Sequence, residues 1–309
     1  MQLITEAQVA AVLDPDAARH ALRAAFLQHG RSQAQVLGRT RAALPMAGAA
    51  MALSTMGALL DADDDLPAVL GSKVYSARDG RYHFVVTLYA ADTGAPLAVL
   101  EGNEFTRLRT AAASAVAVDL LAPGQAGTLA IVGAGIQGRA HAETLCRLRP
   151  FERLLVCARS GAQEFAQSLQ ADLGLPAQAV GMAEAVREAD VLVTATRAAE
   201  PLFDGALVKP GALVVAVGSS TPAGRELDDA LLARAALIAV EWRPAAADSG
   251  EFARAAPGVI RAERVAELGE LLARPRPRAA GDVVVYKSVG IGLEDVALAR
   301  FVCRRLGLL

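Results

Sequence analysis

Residues 129–145 read LAIVGAGIQGRAHAETL, and the spacing of three glycines within them decides the fold. An apolar run ends at Val132, glycines follow at Gly133, Gly135 and Gly138, and a helix-forming run begins at once. Set between a strand and a helix, G-x-G-x-x-G has a physical meaning. Gly133 permits the tight turn, Gly135 lets backbone N–H groups approach a pyrophosphate, and Gly138 lets the helix pack closely on the sheet. The helix N-terminus attracts the phosphates. Gly133, Ala134, Gly135, Ile136, Gln137 and Gly138 are therefore the expected contacts of a dinucleotide.

The chain around this motif keeps the same rhythm. TLAIV, RLLVC, VLVTAT, ALVVAVG and ALIAV are strand-like, and helical runs such as AQEFAQSLQADLG and MAEAVREAD stand between them. That alternation predicts an α/β fold, a doubly wound (Rossmann) dinucleotide-binding domain over residues 123–282. Upstream, ITEAQVAAVL opens with the capping-box pair Thr5 and Gln8, and DPDAARHALRAAFLQHG reads as a second helix carrying His20 and His29 at its surface. GSKVYSA, YHFVVTLYA and PLAVLEG, separated by the turn residues RDGR and DTGA, predict antiparallel strands. DADDD, at 61–65, precedes them as a solvated loop. A helical run, TRLRTAAASAVAVDLLA, ends at Pro123-Gly124 and closes an α+β domain over 1–122. The last strand, VVVYKS, and the final helix, within 283–309, are expected to return to that first domain.

Composition narrows the function. The chain has 309 residues, 53% hydrophobic but only 4% aromatic, and a net charge of −2. Without a basic excess, a broad nucleic-acid surface is not expected. No apolar run reaches the roughly 18 residues of a membrane span, and the N-terminus carries no export signal, so a cytoplasmic protein is expected. Cys146, Cys157 and Cys303 lack metal-ligand spacing and, with four histidines none of which is near a cysteine, predict free thiols and no metal site.

In an NAD-specific site an acidic residue about 20 positions after the glycines holds the adenosine ribose. Here the second strand ends in VCARSG, which puts Arg159 and Ser160 in that place. An arginine pairs with a 2′-phosphate and a serine donates to it, so NADP(H) is expected over NAD(H). The first domain offers basic residues for a substrate: Arg39 and Arg41 in GRTR, Lys73 in GSKV, and Arg107 and Arg109 in RLRT. A lysine on a strand needs a partner or a task. An arginine grips a carboxylate with two prongs, and a lysine moves a proton.

Over nearly its whole length the chain resembles the ornithine cyclodeaminase/mu-crystallin family. The matching segments are GRTR, GSKV, LAVLEGNEFTRLRTAAASAVA, IVGAGIQG, VKPGALVVAVGSSTPAGRELDDALL and VVVYKSVGIGLEDVALA. The resemblance implies a substrate domain whose sheet forms a homodimer, with the final helix folded back onto the first half. It implies substrate-carboxylate roles for Arg39 and Arg109, and a substrate or proton-transfer role for Lys73. Arg39 rather than Arg41 matches, because the family places its arginine directly before a small residue. Lys287 and Ser288 would lie near the nicotinamide end of the cofactor, and Thr194, Ala195 and Thr196 would line its cleft.

One departure bears on the reaction. Family members that cyclise ornithine carry an aspartate in a G-x-D-x-P turn, and in VGSSTPAGREL that position is Ser220. Cyclodeamination requires a carboxylate to bind the protonated δ-amine and take its proton. Serine resembles instead the mu-crystallin branch, which implies reduction of a ketimine or cyclic imino acid with NADPH, or amino-acid dehydrogenation in reverse. The alternatives are a true ornithine cyclodeaminase and a non-catalytic NADPH or small-ligand binder. The family's Thr/Ser-His-Gln run before the second strand is replaced by GRYHFVV. His83 is therefore a candidate substrate-adjacent residue, with a strand position at the dimer surface as its other reading.

Overall fold

Strand and helix alternation downstream of Ala113 produces one of two units in the computed structural model, which describes residues 1–46 and 49–309. The units are Met1–Ala112 with Gly290–Leu309, and Ala113–Val289.

The second unit holds eight parallel strands, whose numbering continues that of the first unit's six. They are β7 (Thr128–Val132), β8 (Arg153–Cys157), β9 (Ala177–Ala179), β10 (Val191–Thr194), β11 (Leu213–Ala216), β12 (Leu237–Val240), β13 (Val265–Glu267) and β14 (Val284–Lys287). Their order is β9-β8-β7-β10-β11-β14-β12-β13, and all neighbours pair in parallel. β7, β10, β11 and β14 are buried on both faces, which is why they read as continuous apolar runs. From β7 the chain winds outward to β8 and β9, then returns to β10 on the other side of β7. The glycine loop thus leaves the sheet at its topological switch point, where such sheets bind ligands.

The helix Ile136–Leu148 that follows the glycines is pinned by a buried histidine. His141 Nδ1 donates to the Gln137 carbonyl at 2.7 Å, and its Nε2 accepts from Ser114 Oγ at 2.9 Å. Burial pushes the imidazole down to about 4, so it stays neutral.

Two boundaries differ from expectation. β14 does not leave with the C-terminus but sits between β11 and β12, as its burial on both faces demands. The units divide between Ala112 and Ala113, inside the helix Asn103–Leu121, because Pro123-Gly124 ends that helix without ending a unit.

The first unit is built on a six-stranded sheet. Its strands are β1 (Gln2–Ile4), β2 (Ala34–Met46), β3 (Ala49–Leu60), β4 (Val69–Arg78), β5 (Arg81–Ala90) and β6 (Pro96–Glu101), in the order β1-β6-β5-β4-β3-β2. β1 joins β6 in parallel and the other neighbours are antiparallel. The three expected strands are β4, β5 and β6. The β2 and β3 pair was not legible, because both faces of β3 are apolar and the period-two alternation is hidden. Ser54, Met56, Ala58 and Leu60 point inward and are buried, while Met51, Leu53 and Leu59 point outward and are exposed.

Helices Pro15–Gly30 and Gly292–Arg305 cover the inner face. Buried Arg300 ties them together: it donates to Gln28 Oε1 at 3.1 Å and to the Asp61 carbonyl at 2.9 Å, and it pairs with Asp63 at 2.9 Å. The acidic loop 61–65 is exposed as expected, yet one of its carboxylates neutralises an interior arginine. Glu6 caps the helix Asn103–Leu121 from a distance, accepting from Asn103 N at 2.7 Å and Glu104 N at 2.9 Å. All three cysteines are free thiols, and burial pushes Cys146 and Cys303 up to about 11. Among the described residues no helix is long and apolar enough to cross a membrane.

Candidate functional site

The dinucleotide cradle belongs to the second unit. Gly133 has φ +118°, and its N–H donates to the carbonyl of Cys157 at the end of β8. A Cβ there would lie 2.5 Å from the Ala195 carbonyl oxygen, so the loop after β7 and the segment after β10 touch through this glycine. A Cβ on Gly138 would strike the Gly133 carbonyl. Gly135 differs, because nothing lies within 4 Å of its would-be Cβ. The protein's own packing does not require a glycine there; an approaching phosphate does. Gly135 is also the N-cap of its helix and offers no side-chain cap, which leaves the first N–H groups for a ligand. Beside it Ile136 is 72% exposed, and Gln137 Oε1 is buried with no hydrogen-bond partner among the described residues. Ala134 completes the turn. The cradle fits the pyrophosphate of a dinucleotide.

Arg159 and Ser160 follow β8 as exposed residues ahead of Gly161, which starts the next helix at φ +67°. No carboxylate among the described residues pairs with Arg159.

Behind the cradle, buried carboxylates shape the loops. Glu226 accepts from Thr194 Oγ1 at 2.9 Å, from Thr196 N and Oγ1 at 2.8 Å each, and from Gly218 N at 2.7 Å. Both threonine hydroxyls expected to line the cofactor cleft are turned to this glutamate. Lys287 is also spent internally: its ammonium donates to the Ser219 carbonyl at 2.5 Å and pairs with Glu251 at 3.3 Å. Ser288 Oγ donates to Glu241 at 2.7 Å, and the same carboxylate accepts from Tyr286 OH and Val289 N. Lys287 thus holds the residue preceding Ser220, which is half-buried in the loop after β11.

The basic residues gather in the first unit, on the inner face of its sheet. Pairing puts Arg41, Ser54, Tyr75 and Phe84 in one row across the strands, and Met56, Lys73 and Val86 in the next. Arg39 stands in a bulge of β2 opposite Met56 and donates to the Gly290 carbonyl at 3.1 Å. Gly290 has φ +71°, and a Cβ there would collide with the Arg109 guanidinium. Lys73, 1% exposed, donates to Asp295 Oδ1 at 2.8 Å. Arg109 donates to Glu294 at 2.7 Å and lies 3.8 Å from Asp295. Burial first, and then the Arg109 charge, bring the Lys73 ammonium down to about 8 against the opposing pull of Asp295 and Glu294. The rings of Phe84 and Tyr75, at 5.4 and 6.0 Å from Nζ, favour its charged form.

Lys73, Arg39 and Arg109 are therefore brought together. His83 is not, and its expected substrate-facing place is corrected by the register. It pairs with Ser76, on the opposite face of the sheet from Lys73, because successive side chains alternate. There it lines an open groove of about 600 Å³ with Met51, Ser76, Arg78, Asp79 and Arg81. Sequence reasoning missed Glu226, Glu241, Glu251, Glu294 and Asp295. The pair Glu294-Asp295 carried a signal, two adjacent acids in the first turn of an otherwise apolar helix.

A sequence profile of the ornithine cyclodeaminase/mu-crystallin family matches residues 48–307. The ketimine reductase mu-crystallin of Mus musculus is 37% identical over 219 residues, 70% of this chain and 67% of that protein. The crystal structure of a probable ornithine cyclodeaminase from Bordetella pertussis Tohama I is 39% identical, with a TM-score of 0.93 over 99% of this chain and 97% of that one. The iminosuccinate reductase of Paracoccus denitrificans, solved with NAD+, is 31% identical with a TM-score of 0.90, over 99% and 97% of the two chains.

Removing one member of a buried ion pair strands the other. Asp295→Ala is expected to lower stability by about 3–5 kcal/mol, read as a lower urea-unfolding midpoint. Lys73→Met in the same background should recover part of the loss. An unchanged midpoint in Asp295→Ala would mean that the ammonium needs no counter-charge.

Proposed function

The chain belongs to the ornithine cyclodeaminase/mu-crystallin family, and we propose that it is one of the reductases of that family, converting the C=N bond of an α-imino acid to an amine. The observation that carries this over cyclodeamination is Ser220, a hydroxyl where the cyclising reaction requires a carboxylate. The names of the mouse and Paracoccus relatives, both reductases, support it. A pure binding protein would not require a buried lysine tuned toward neutrality beside two arginines.

Arg39 and Arg109 grip the substrate carboxylate and fix the imine against Lys73. A nicotinamide cofactor, when bound, supplies hydride to the imine carbon and leaves oxidised. As the carbon gains those two electrons, the C=N π pair becomes a nitrogen lone pair, and the Lys73 ammonium gives it a proton. Lys73 is then neutral and regains its proton from water. Asp295 keeps Lys73 charged until that moment, and Glu294 holds the Arg109 fork in place. Run backward, neutral Lys73 accepts a proton from an amino acid.

Gly133, Ala134, Gly135, Ile136, Gln137 and Gly138 hold the pyrophosphate. Arg159 and Ser160 meet a 2′-phosphate, so NADP(H) is preferred to NAD(H). Thr194, Ala195 and Thr196 form the neighbouring wall under the control of Glu226, while Lys287 and Ser288 set the loop of Ser220. The outer face of the first unit's sheet presents Leu37, Leu44, Met51, Leu53, Leu59 and Val85, all exposed and all on that face by register. A contiguous apolar face of this kind marks an association surface, and a homodimer covers it.

Purified protein should oxidise NADPH at 340 nm with Δ1-pyrroline-2-carboxylate or with the imine of an α-keto acid. Ornithine giving proline and ammonia, without net cofactor consumption, would replace the reductase reading by cyclodeamination. NADPH should outperform NADH, and Arg159→Ala should narrow the ratio of their kcat/KM values by about tenfold or more; an unchanged ratio removes Arg159 from cofactor choice. Reduction needs the ammonium form, so its rate should fall as pH rises through about 8, while amine oxidation rises through the same pH. Lys73→Met should cost about 10²–10⁴-fold in kcat and abolish that titration. Leu53→Glu should shift the protein from dimer to monomer in light scattering; a dimer that survives it uses another face.

A further inference from the structure

Glu294 and Asp295 are adjacent in the first turn of the C-terminal helix, yet the protein uses them differently. Glu294 is engaged on both oxygens: Oε2 accepts from Arg109 Nη1 at 2.7 Å and Oε1 from Ile291 N at 3.2 Å. Asp295 is engaged on one only. Its Oδ1 accepts from Lys73 Nζ at 2.8 Å and lies 3.8 Å from Arg109 Nε. Its Oδ2 receives no N–H or O–H group among the described residues, although the side chain is 0% exposed. A buried carboxylate oxygen normally accepts at least one donor. The helix start is pressed so closely on β3 that a Cβ on Gly292 would strike the Gly57 backbone, so the carboxylate is held where it stands.

Position gives this oxygen a use. Asp295 adjoins both the proton donor, Lys73, and the carboxylate grip at Arg109. In an α-imino acid one carbon carries both the nitrogen and the carboxylate, so a carboxylate held by Arg39 and Arg109 keeps the nitrogen beside this aspartate. A nitrogen placed about 3 Å from Nζ to take its proton can reach Oδ2 as well. Charge points the same way. As the Nζ–H bond breaks and an N–H bond forms, positive charge passes from Lys73 to the C=N unit, until hydride reduces the carbon and the nicotinamide is left oxidised. An aspartate paired with Lys73 alone would then be stranded, a costly state for a buried carboxylate. With Oδ1 on Nζ and Oδ2 on the substrate nitrogen it stays paired throughout. The second bond strengthens as the charge arrives, which favours the transition state over the ground state.

We propose that Asp295 is a catalytic residue as well as the partner of Lys73: its Oδ2 accepts an N–H from the substrate nitrogen and holds the positive charge that Lys73 passes on. The proposal rests on the imine-reductase activity proposed above and adds a direct contact at the reacting nitrogen of the same site. Glu294, with both oxygens engaged, has no such part.

The test removes Lys73 first, so that any remaining effect of Asp295 is its own. Dissociation constants for L-proline and for cyclopentanecarboxylate, the same ring and carboxylate without the nitrogen, are measured by calorimetry with NADPH present. The proteins are Lys73→Met and Lys73→Met/Asp295→Asn. Lys73→Met should bind proline more tightly than the carbocycle, because the ring nitrogen's charge replaces that of the lost lysine. Adding Asp295→Asn should weaken proline by about 10- to 100-fold and leave cyclopentanecarboxylate nearly unchanged. Turnover of Δ1-pyrroline-2-carboxylate, at a pH where the imine arrives protonated, should fall by about tenfold or more between the same two proteins. The double variant lacks both buried charges, so its urea midpoint should not lie below that of Lys73→Met, and the losses cannot be put down to unfolding. Lack of preference for proline in Lys73→Met, or equal shifts of both ligands, overturns the proposal while imine reduction by the wild type stands. If the wild type reduces no imine, the reductase reading itself fails, and the role of Asp295 with it.

Discussion

Lys73 and Arg109, buried beside the inner face of the first unit's sheet, must be matched by two anions, and that requirement shapes the unit around them. Lys73 and Asp295 are 222 positions apart, and Arg109 and Glu294 are 185 apart. Leaving such charges unmatched costs several kcal/mol each, about 3–5 kcal/mol when one partner is lost. The C-terminal helix must therefore begin where its first-turn acids reach the sheet and the Arg109 helix together. Placing Glu294 and Asp295 in the first turn also sets them at the positive end of the helix dipole. Gly290, with its positive φ, lets the chain turn tightly against the Arg109 fork on the way in. Burial, opposed by this pairing, brings Lys73 to about 8, between a permanently charged surface lysine and a neutral buried one. Structure and proton chemistry share one constraint.

The second unit uses buried carboxylates for a different end. Glu226, Glu241 and Glu251 are all fully buried at the carboxyl edge of the parallel sheet. Glu226 accepts from the ends of two strands, Glu241 from Tyr286, Ser288 and Val289 at the end of β14, and Glu251 from Glu226 N. A carboxylate has about four lone-pair sites, so a single glutamate ties several loop ends that have no regular structure of their own. Glu226 joins the end of β10 to the end of β11 in this way. The loops that face a ligand stay in shape although no strand pairing continues through them. Their threonines and Lys287 are better understood as parts of that bracing than as direct contacts.

Much of this was legible residue by residue. The Thr5–Gln8 capping box formed as its spacing required, and Asp14 caps the second helix. The five strand-like runs of the second unit lie at or within a residue or two of the observed strands, because each is short, apolar and bounded by turn residues. The glycine loop took the expected turn, although Gly138 is excluded from larger residues by the Gly133 carbonyl as much as by the sheet. The β2 and β3 pair escaped because its residues are rich in Ala, Leu and Met and apolar on both faces, and strand preference depends on what each face packs against. His83 illustrates the same gap at the scale of one residue. Its strand was expected, but its face follows from pairing with Ser76.

Local chemistry in the chain was enough to set the α/β class, the dinucleotide cradle, the Arg159–Ser160 pair and the basic candidates, since each depends on neighbours within a few residues. Pairing across the fold chose among them. It put Arg39, Arg41, Lys73 and Arg109 on or beside one face, sent His83 to the other, moved β14 into the parallel sheet and supplied the acids that hold the cations. The physical reason is that a strand's side chains alternate with period two and a buried charge needs a partner. Neither the face nor the partner exists until residues hundreds of positions apart have met.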